Sequence, residues 1–409
     1  MLQLVKMSFR DLGRNRRRTF FSALAVSVGL AILILMASVI KGEMGGAVQG
    51  AIILESGHIQ VRAASYDPNK SSLKWEDLVL NPDQIASQIG GLPQVKAATP
   101  RLFASGFITA GNQSAGASIY GIDPTSAASD PYRLGIISGN YLATDDNSGL
   151  LIGKPNADKL HLKAGDNVNL SVNTANGDVA EQKFVVRGIY STNTSGFDSA
   201  TILLPLAKAQ AITQAQNHAS TIFVLLKDDT TTDSVAAALN GTAAQAGLKV
   251  LTWKQLNPLV LDWETQANSY ISILYLIILA IAASVIINTL IMSVYERTRE
   301  IGVLSAIGMR GGRIMSLFLT ESALLAVGGV LMGIVLGVLG IYLFNIHGFY
   351  IGKMGLTGFM VSDTIFAKLT MDNVINLSIV TFIVTILAGL YPAIMASRLQ
   401  PVEALRAEK

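Results

Sequence analysis

Apolar residues in this 409-residue chain gather into four long runs, and elsewhere they alternate with polar ones at shorter periods. A spanning helix needs about 20 predominantly apolar residues to cross a hydrocarbon core of about 30 Å. Thr19 to Ile40, Ser269 to Val294, Ile314 to Phe344 and Asn373 to Ser397 meet that requirement, and the third alone holds an acid, Glu321. The pattern predicts four transmembrane helices. Glu321 lies near the start of its run, where it either stays hydrated or pairs with an arginine, and a structural role is expected of it. A secretory leader also begins with a basic stretch before an apolar one, but the first run is too long for such a core and ends in no small-residue cleavage site.

Between the first and second runs the periodicity changes. His58–Arg62, Ser105–Thr109, Ser118–Gly121, Asp166–Val172, Lys183–Ile189, Thr201–Leu204 and Thr221–Leu226 read as strands, with Gly111-Asn112 as a hairpin turn. Asn81–Ile89, Leu206–Thr213 and Thr232–Ala246 read as helices, with Pro82 where a first-turn proline is tolerated. The insert is therefore a large α+β domain, of a length that accommodates two subdomains. Near the amino terminus Leu2, Val5, Phe9 and Leu12 recur at helical spacing while Lys6, Arg10 and Arg14 fall toward another face. That is the pattern of a cationic amphipathic helix lying on the inner leaflet.

Charge orients the chain. Residues 1–18 carry Lys6, Arg10, Arg14, Arg16, Arg17 and Arg18 against the single acid Asp11. The loop after the second run holds Arg297, Arg299, Arg310 and Arg313, and the tail adds Arg398, Arg406 and Lys409. Lysine and arginine mark the cytoplasmic side, and all three segments share one side of a four-span layout. The insert, with 16 basic and 20 acidic residues, suits the extracytoplasmic side. The expected organisation is a cytoplasmic basic helix over 1–18, spans over 19–41, 267–294, 314–345 and 373–397, an extracytoplasmic domain over 42–266, a cytoplasmic element over 295–313, an external loop over 346–372 and a cytoplasmic tail over 398–409. Half of the residues are hydrophobic and 14% are charged, against about a quarter in soluble domains. A net charge of +3 with no long internal basic tract argues against nucleic acid, and the absence of cysteine removes thiolate metal sites and cysteine catalysis.

Candidate chemistry in the insert is sparse. His58, His161, His218 and His347 are dispersed, without ligand partners at helical spacing, so no metal site is expected. Asp145-Asp146 and Asp228-Asp229 read as turn acids, and Ser56-Gly57-His58 lacks the strand–elbow–helix context of a nucleophilic serine. No enzyme is predicted.

The informative stretch is Asn288 to Ser322. Glu296-Arg297-Thr298-Arg299-Glu300 leads into Ile301-Gly302-Val303-Leu304, then Ala306-Ile307-Gly308, before Arg310 and Arg313 return the chain to the membrane. This is a short element with Val303, Leu304 and Ile307 offered to something in the cytoplasm, bounded by Gly302 and Gly308. A solvated tether would have no need of the apolar residues.

Here the sequence resembles the FtsX/MacB/LolC-LolE family of ABC transporter permeases. The ERTREIGVLSAIG stretch carries the resemblance, with Tyr391-Pro392-Ala393 and Ser397-Arg398-Leu399-Gln400-Pro401-Val402-Glu403-Ala404-Leu405-Arg406 at the carboxy terminus. Tyr120-Gly121-Ile122-Asp123-Pro124, LHLKAGDNV from Leu160 and Val186-Arg187-Gly188-Ile189 resemble the family's periplasmic core domain, and Gly57-His58-Ile59-Gln60-Val61 looks closest to the lipoprotein-releasing branch. The resemblance implies a permease of the bacterial inner membrane with both termini cytoplasmic. Glu296, Arg297, Arg299, Glu300, Ile301, Gly302, Val303, Leu304, Ile307 and Gly308 would then contact an ATPase. The chain contains no GxxxxGK[ST] phosphate loop, so ATP and Mg are expected on a separate ATPase subunit and none on this chain. A second permease subunit, preferably another copy of this chain, would pair through the first two spans. The implied function is release of a lipoprotein or lipid-like cargo from the outer leaflet, with a periplasmic lipoprotein carrier as a further partner. MacB-like efflux through a tripartite assembly and FtsX-like signalling to a cell-wall hydrolase are the alternatives. Ala23, Ser27 and Ala31 on the first span, and Gly329, Gly333 and Gly337 on the third, place small residues four apart, a spacing that permits close helix contact.

Overall fold

A computed structural model describes residues 2–14, 16–67, 73–351 and 361–400. The four apolar runs form four long helices, Arg16–Gly50, Pro258–Glu296, Gly311–His347 and Met371–Ser397, here the first to fourth membrane helices. The protein is a four-helix membrane protein with an α+β domain inserted between the first two. The helices outrun the bilayer: at 1.5 Å per residue the first two reach about 52 and 58 Å against a core of about 30 Å. The chain divides into two compact units. One comprises Met1–Glu43, Glu264–Phe349 and Ile365–Lys409, and the other Met44–Trp263 and Tyr350–Thr364.

Within the membrane unit, the glycines of the third helix are contact positions. A Cβ placed on Gly329, Gly333 or Gly337 would lie 2.8 Å from the Cβ of Val26, 2.9 Å from that of Leu30 and 3.1 Å from that of Ile34. Only hydrogen fits at these sites, so the third helix lies directly on the first. Gly389 of the fourth helix likewise abuts Ser322 of the third. At the other end of the third helix, the Asn345 amide donates to the Ala367 carbonyl at 2.9 Å and accepts from the Ala367 N–H at 2.8 Å. That pair closes main-chain groups that no helix satisfies.

The inserted unit is built on a ten-stranded mixed sheet. Its strands are β1 (Ile59–Ala63), β2 (Val95–Ala110), β3 (Gln113–Ile122), β4 (Ile136–Gly139), β5 (Gly149–Gly153), β6 (Asn167–Asn173), β7 (Val179–Tyr190), β8 (Thr201–Pro205), β9 (Thr221–Leu226) and β10 (Leu248–Thr252). The order is β10-β1-β9-β2-β3-β8-β5-β7-β4, with β6 bridging β2 and β7. The long strand β2 serves two lobes. Its first half, Val95–Arg101, pairs with β9, and its second half, Leu102–Ala110, pairs with β3 and β6. Each lobe has its own apolar core: Ile59, Val61, Ile222 and Val224 with helices Pro82–Gly90 and Thr232–Gln245 in one, and Leu102, Ile119, Leu170, Phe184 and Ile202 in the other. The β2–β3 hairpin turns at Gly111, whose φ of +56° lies in the left-handed region that favours glycine.

At the crossing of the lobes sits Arg101, fully buried. Its guanidinium donates to the Leu54 carbonyl at 2.7 Å and the Ala128 carbonyl at 3.1 Å, and lies 3.4 Å from the centroid of the Phe223 ring. The Tyr132 hydroxyl donates to the same Leu54 oxygen at 2.8 Å. Leu54 belongs to a π-helical turn, Ala51–Ser56, that follows directly on the first membrane helix. Gly57 ends the turn at a φ of +67°, where a Cβ would meet the Val224 carbonyl at 2.8 Å, so Gly57-His58 is a structural pair. His58 accepts from the Leu226 N–H through Nδ1 at 3.2 Å, and burial lowers its basicity. It acts as a neutral strand-edge acceptor.

Two predictions follow from this packing. Gly333→Leu should lower the melting temperature and yield of the detergent-purified chain, because overpacking costs about 1–3 kcal/mol. Gly328→Ala, with open space at its Cβ, should be neutral or mildly stabilising; equal behaviour of the two variants would contradict the contact. The second concerns Asp198, which is 1% exposed and accepts hydrogen bonds from Ser191 and from Thr192. Burial outweighs those donors and pushes its carboxyl up from 3.8 to about 6. The folded state therefore holds a proton that the unfolded state releases. This contribution is full below about pH 4 and is lost as pH rises through about 6, worth on the order of 3 kcal/mol. Melting curves between pH 4 and 8 should show this slope in the wild type and lose it in Asp198→Asn.

Candidate functional site

The residues from Glu296 to Gly308 form a distinct element. The second membrane helix ends at Glu296, and a short helix, Thr298–Ala306, runs from there toward the third. It closes in a Schellman motif: the Met309 N–H reaches the Leu304 carbonyl at 3.0 Å, and the Gly308 N–H reaches that of Ser305 at 3.0 Å. Gly308 has a φ of +93°, and this conformation is why glycine stands there. Gly302 does not bound the element as its sequence position predicts. It lies inside the helix and is buried, so the helix begins one turn earlier, at Thr298.

The short helix has two faces. Ile301 is 3% exposed and packs with Val294, Ile314, Phe318, Ala393 and Ala396, so it anchors the element to the bundle rather than facing outward. Ala393 comes from the Tyr391-Pro392-Ala393 motif, which places two sequence signatures in one apolar cluster. The continuation of that motif, Pro401 to Arg406, lies outside the described residues. On the opposite face Arg299, Val303 and Ile307 follow at intervals of four, all exposed; Ile307 is 76% exposed and Val303 45%. Leu304 is half-buried beside them.

A charged brace holds the back of the helix. Arg297 donates from Nε to Glu300 at 3.2 Å, and its terminal nitrogen lies 3.9 Å from a carboxylate oxygen of Glu321. Glu321 is 4% exposed, so the acid in the third apolar run is paired with an arginine that precedes the short helix. Arg14 donates to Glu300 at 2.8 Å and Arg18 to Glu296 at 2.6 Å. Burial tends to raise the Glu300 carboxyl, but the bonds from Arg14 and Arg297 outweigh it and leave its pKa below the usual value. That carboxyl is therefore ionised at neutral pH.

The amino-terminal helix, Leu2–Arg14, takes part in this site, and sequence periodicity alone did not place it there. Ser8 is buried and donates to the Leu317 carbonyl of the third membrane helix at 3.2 Å, and Leu12 packs against the cluster around Val26, Ile286 and Leu325. Phe9 is 71% exposed, so the apolar stripe expected on one lipid face is divided between the bundle and the surroundings. Between this helix and the coupling helix lies an open cleft of about 820 Å³, lined by Arg10, Arg14, Glu300, Val303 and Leu304 among others. Arg14 and Arg18 were legible only as positive-inside charges, because their acidic partners lie far along the chain. Among the described residues no three potential metal ligands cluster.

The Arg297–Glu321 pair yields a third prediction. Removing one member of a buried ion pair costs about 3–5 kcal/mol, because the other charge stays behind. Arg297→Met should therefore destabilise the purified chain strongly, and adding Glu321→Gln should recover a large part of the loss. Additive losses in the double variant would show that the two residues are not coupled.

Comparison with known proteins agrees with this anatomy. Residues 19–242 match the MacB-like periplasmic core domain, and residues 272–401 match the FtsX-like permease C-terminal domain. An uncharacterized ABC transporter permease of Methanocaldococcus jannaschii is 27% identical over 67% of this chain and 66% of its own length. The macrolide export ATP-binding/permease protein MacB of Shewanella sp. strain ANA-3 is 22% identical over 99% of this chain, which spans 60% of that relative. The lipoprotein-releasing system transmembrane protein LolE of Haemophilus influenzae is 23% identical, over 94% of this chain and 93% of its own. With its two matched domains covering the inserted unit and the later membrane helices in family order, the chain belongs to the FtsX/MacB/LolC-LolE family of ABC transporter permeases.

Proposed function

We propose that this chain is a non-catalytic permease subunit which turns ATP hydrolysis on a separate ATPase subunit into motion of its extracytoplasmic domain, releasing a lipoprotein or lipid-like cargo from the outer leaflet of the inner membrane. The observation that carries the coupling role is the two-faced short helix. Ile301 fixes it to the bundle while Val303 and Ile307 stand exposed beside Arg299. An apolar pair rimmed by charge suits a groove on a partner protein. ATP and Mg belong to that partner. In this reading the termini and the short helix are cytoplasmic, as the arginine bias requires.

A second permease copy is the natural cover for the first two membrane helices. Phe20, Phe21, Val28 and Ile32 of the first, and Ile273, Leu276, Ile277 and Ile281 of the second, are exposed apolar residues. The lipid-release reading is supported by Gly57-His58-Ile59-Gln60-Val61, which resembles the lipoprotein-releasing branch more than MacB. In that reading a periplasmic lipoprotein carrier receives the cargo.

The coupling assignment has a direct test. Ile307→Asp and Leu304→Asp should each abolish copurification of the co-expressed ATPase, since an unpaired carboxylate carried into an apolar groove costs several kcal/mol. Membrane insertion and the fold of the inserted domain should survive, checked by protease resistance. Wild-type ATPase recovery with both variants would refute the assignment.

A further inference from the structure

The inserted unit contains a polar cavity of about 290 Å³ that the coupling element does not use. Glu55, Arg62, Tyr66, Asp77, Phe103 and Tyr120 are among the residues that line it. They come from the π-helical turn, from β1 and the loop after it, from a single turn at Trp75–Asp77, and from β2 and β3. The cavity therefore lies where the two lobes meet.

Asp77 is the informative residue. It is 5% exposed, and its Oδ1 is buried with no hydrogen-bond donor among the described residues. Buried acceptors are nearly always satisfied, so an orphan carboxylate oxygen on a cavity wall marks the place of a missing donor. A second acid points the same way. Burial raises the Glu55 carboxyl above its usual range, a cost that an incoming cation would relieve. Both acids also bear on Tyr66, whose hydroxyl is pushed up to about 12, chiefly by burial and against the opposing effect of Arg62. Arg62 itself lies 5.2 Å over the Tyr66 ring. Phe103 and Tyr120, with ring centroids 4.6 Å apart, form an aromatic part of the wall, and Gln60, Lys74, Ser105 and Ser118 are among its other residues. Carboxylates beside aromatic faces suit an organic cation, which needs both charge and an apolar surface. A metal ion is a poorer fit, since no three potential ligands cluster among the described residues.

We infer that this cavity binds a small organic ammonium ion, its charged head between Glu55 and Asp77 and its body against Phe103 and Tyr120. Glu55 follows Leu54, the residue whose carbonyl Arg101 and Tyr132 hold, so the occupant sits beside the terminus of the first membrane helix. The inference concerns binding and stands apart from the transport reading.

The test uses three molecules of one shape and different charge, titrated calorimetrically into the full chain in lipid nanodiscs near neutral pH. Tyramine carries an ammonium, tyrosol a neutral hydroxyl in its place, and 3-(4-hydroxyphenyl)propionate a carboxylate. Tyramine should bind at least about tenfold more tightly than tyrosol, the scale of a charge-assisted hydrogen bond, and the propionate should not bind. Asp77→Asn and Glu55→Gln should each weaken tyramine by about tenfold. The wild-type comparison remains decisive if a variant fails to fold. Equal affinity for tyramine and tyrosol, preference for the propionate, unchanged affinity in folded Asp77→Asn, or no binding of tyramine at about 10 mM would each overturn the site.

Discussion

Arg101 holds the structure of the inserted unit together, and its partners are main-chain carbonyls and aromatic rings. A fully buried guanidinium cannot shed its proton, so the protein must surround it with acceptors or lose stability. One of those acceptors, the Leu54 carbonyl, belongs to the last turn of a long helical run. Helix ends leave carbonyls without intrahelical partners and concentrate partial negative charge there. Burying such an end is costly unless a cation reaches it, and Arg101 does so, with Tyr132 as second donor. The two costs offset each other. Because Arg101 also stands at the point where β2 passes from one lobe to the other, the same side chain sets the lobes about the helix terminus.

A rigid helix end matters only if the helix itself is stiff, and the sequence supplies this in two ways. The first membrane helix contains no proline, and Val26, Leu30 and Ile34, each four residues apart, abut glycines of the third membrane helix. Apolar burial offers little between helices in lipid, so close contact is what holds them together. The helix ends near the short helix rely on charge instead, through Arg18 with Glu296 and Arg297 with Glu321. Ionised pairs are weak where water is abundant and strong where it is excluded. Glu321 lies in the second situation and the exposed Arg14–Glu300 pair in the first, so the brace is firm near the bundle and yielding toward its rim.

Much of this was legible from residue pattern. The four membrane helices, the α+β insert, the Gly111 hairpin and a short helix after Glu296 all announce themselves in the residue pattern, because lipid and a half-buried sheet each impose a period. Strand β5, Gly-Leu-Leu-Ile-Gly, did not: it is buried on both faces, so it shows no alternation, and its glycines and leucines carry little β-propensity. A short helix stands in the stretch after Glu296, but it does not start at Gly302, which reads as a breaker until Ile301 is seen packed against Phe318 and Ala393. Arg101 was invisible for a different reason. Its acceptors are carbonyls, which every residue possesses, and nothing in the surrounding residues distinguishes a buried arginine from a solvated one. Asp77 shared that obscurity, since an unsatisfied oxygen is a property of the fold alone.

These features give the first membrane helix an unusual standing. At one end Arg18 ties it to Glu296, the residue that begins the coupling element, and at the other its continuation is gripped at Leu54. A displacement of the short helix acts first on Glu296 and Arg297, the first in an exposed pair with Arg18 and the second in a largely buried pair with Glu321, where separation is the more costly. The glycine contacts with the third membrane helix leave sliding along the helix axis less hindered than tilting away from it, since tilting opens a gap that no side chain fills. A two-ended tether with one easy direction is a mechanical linkage.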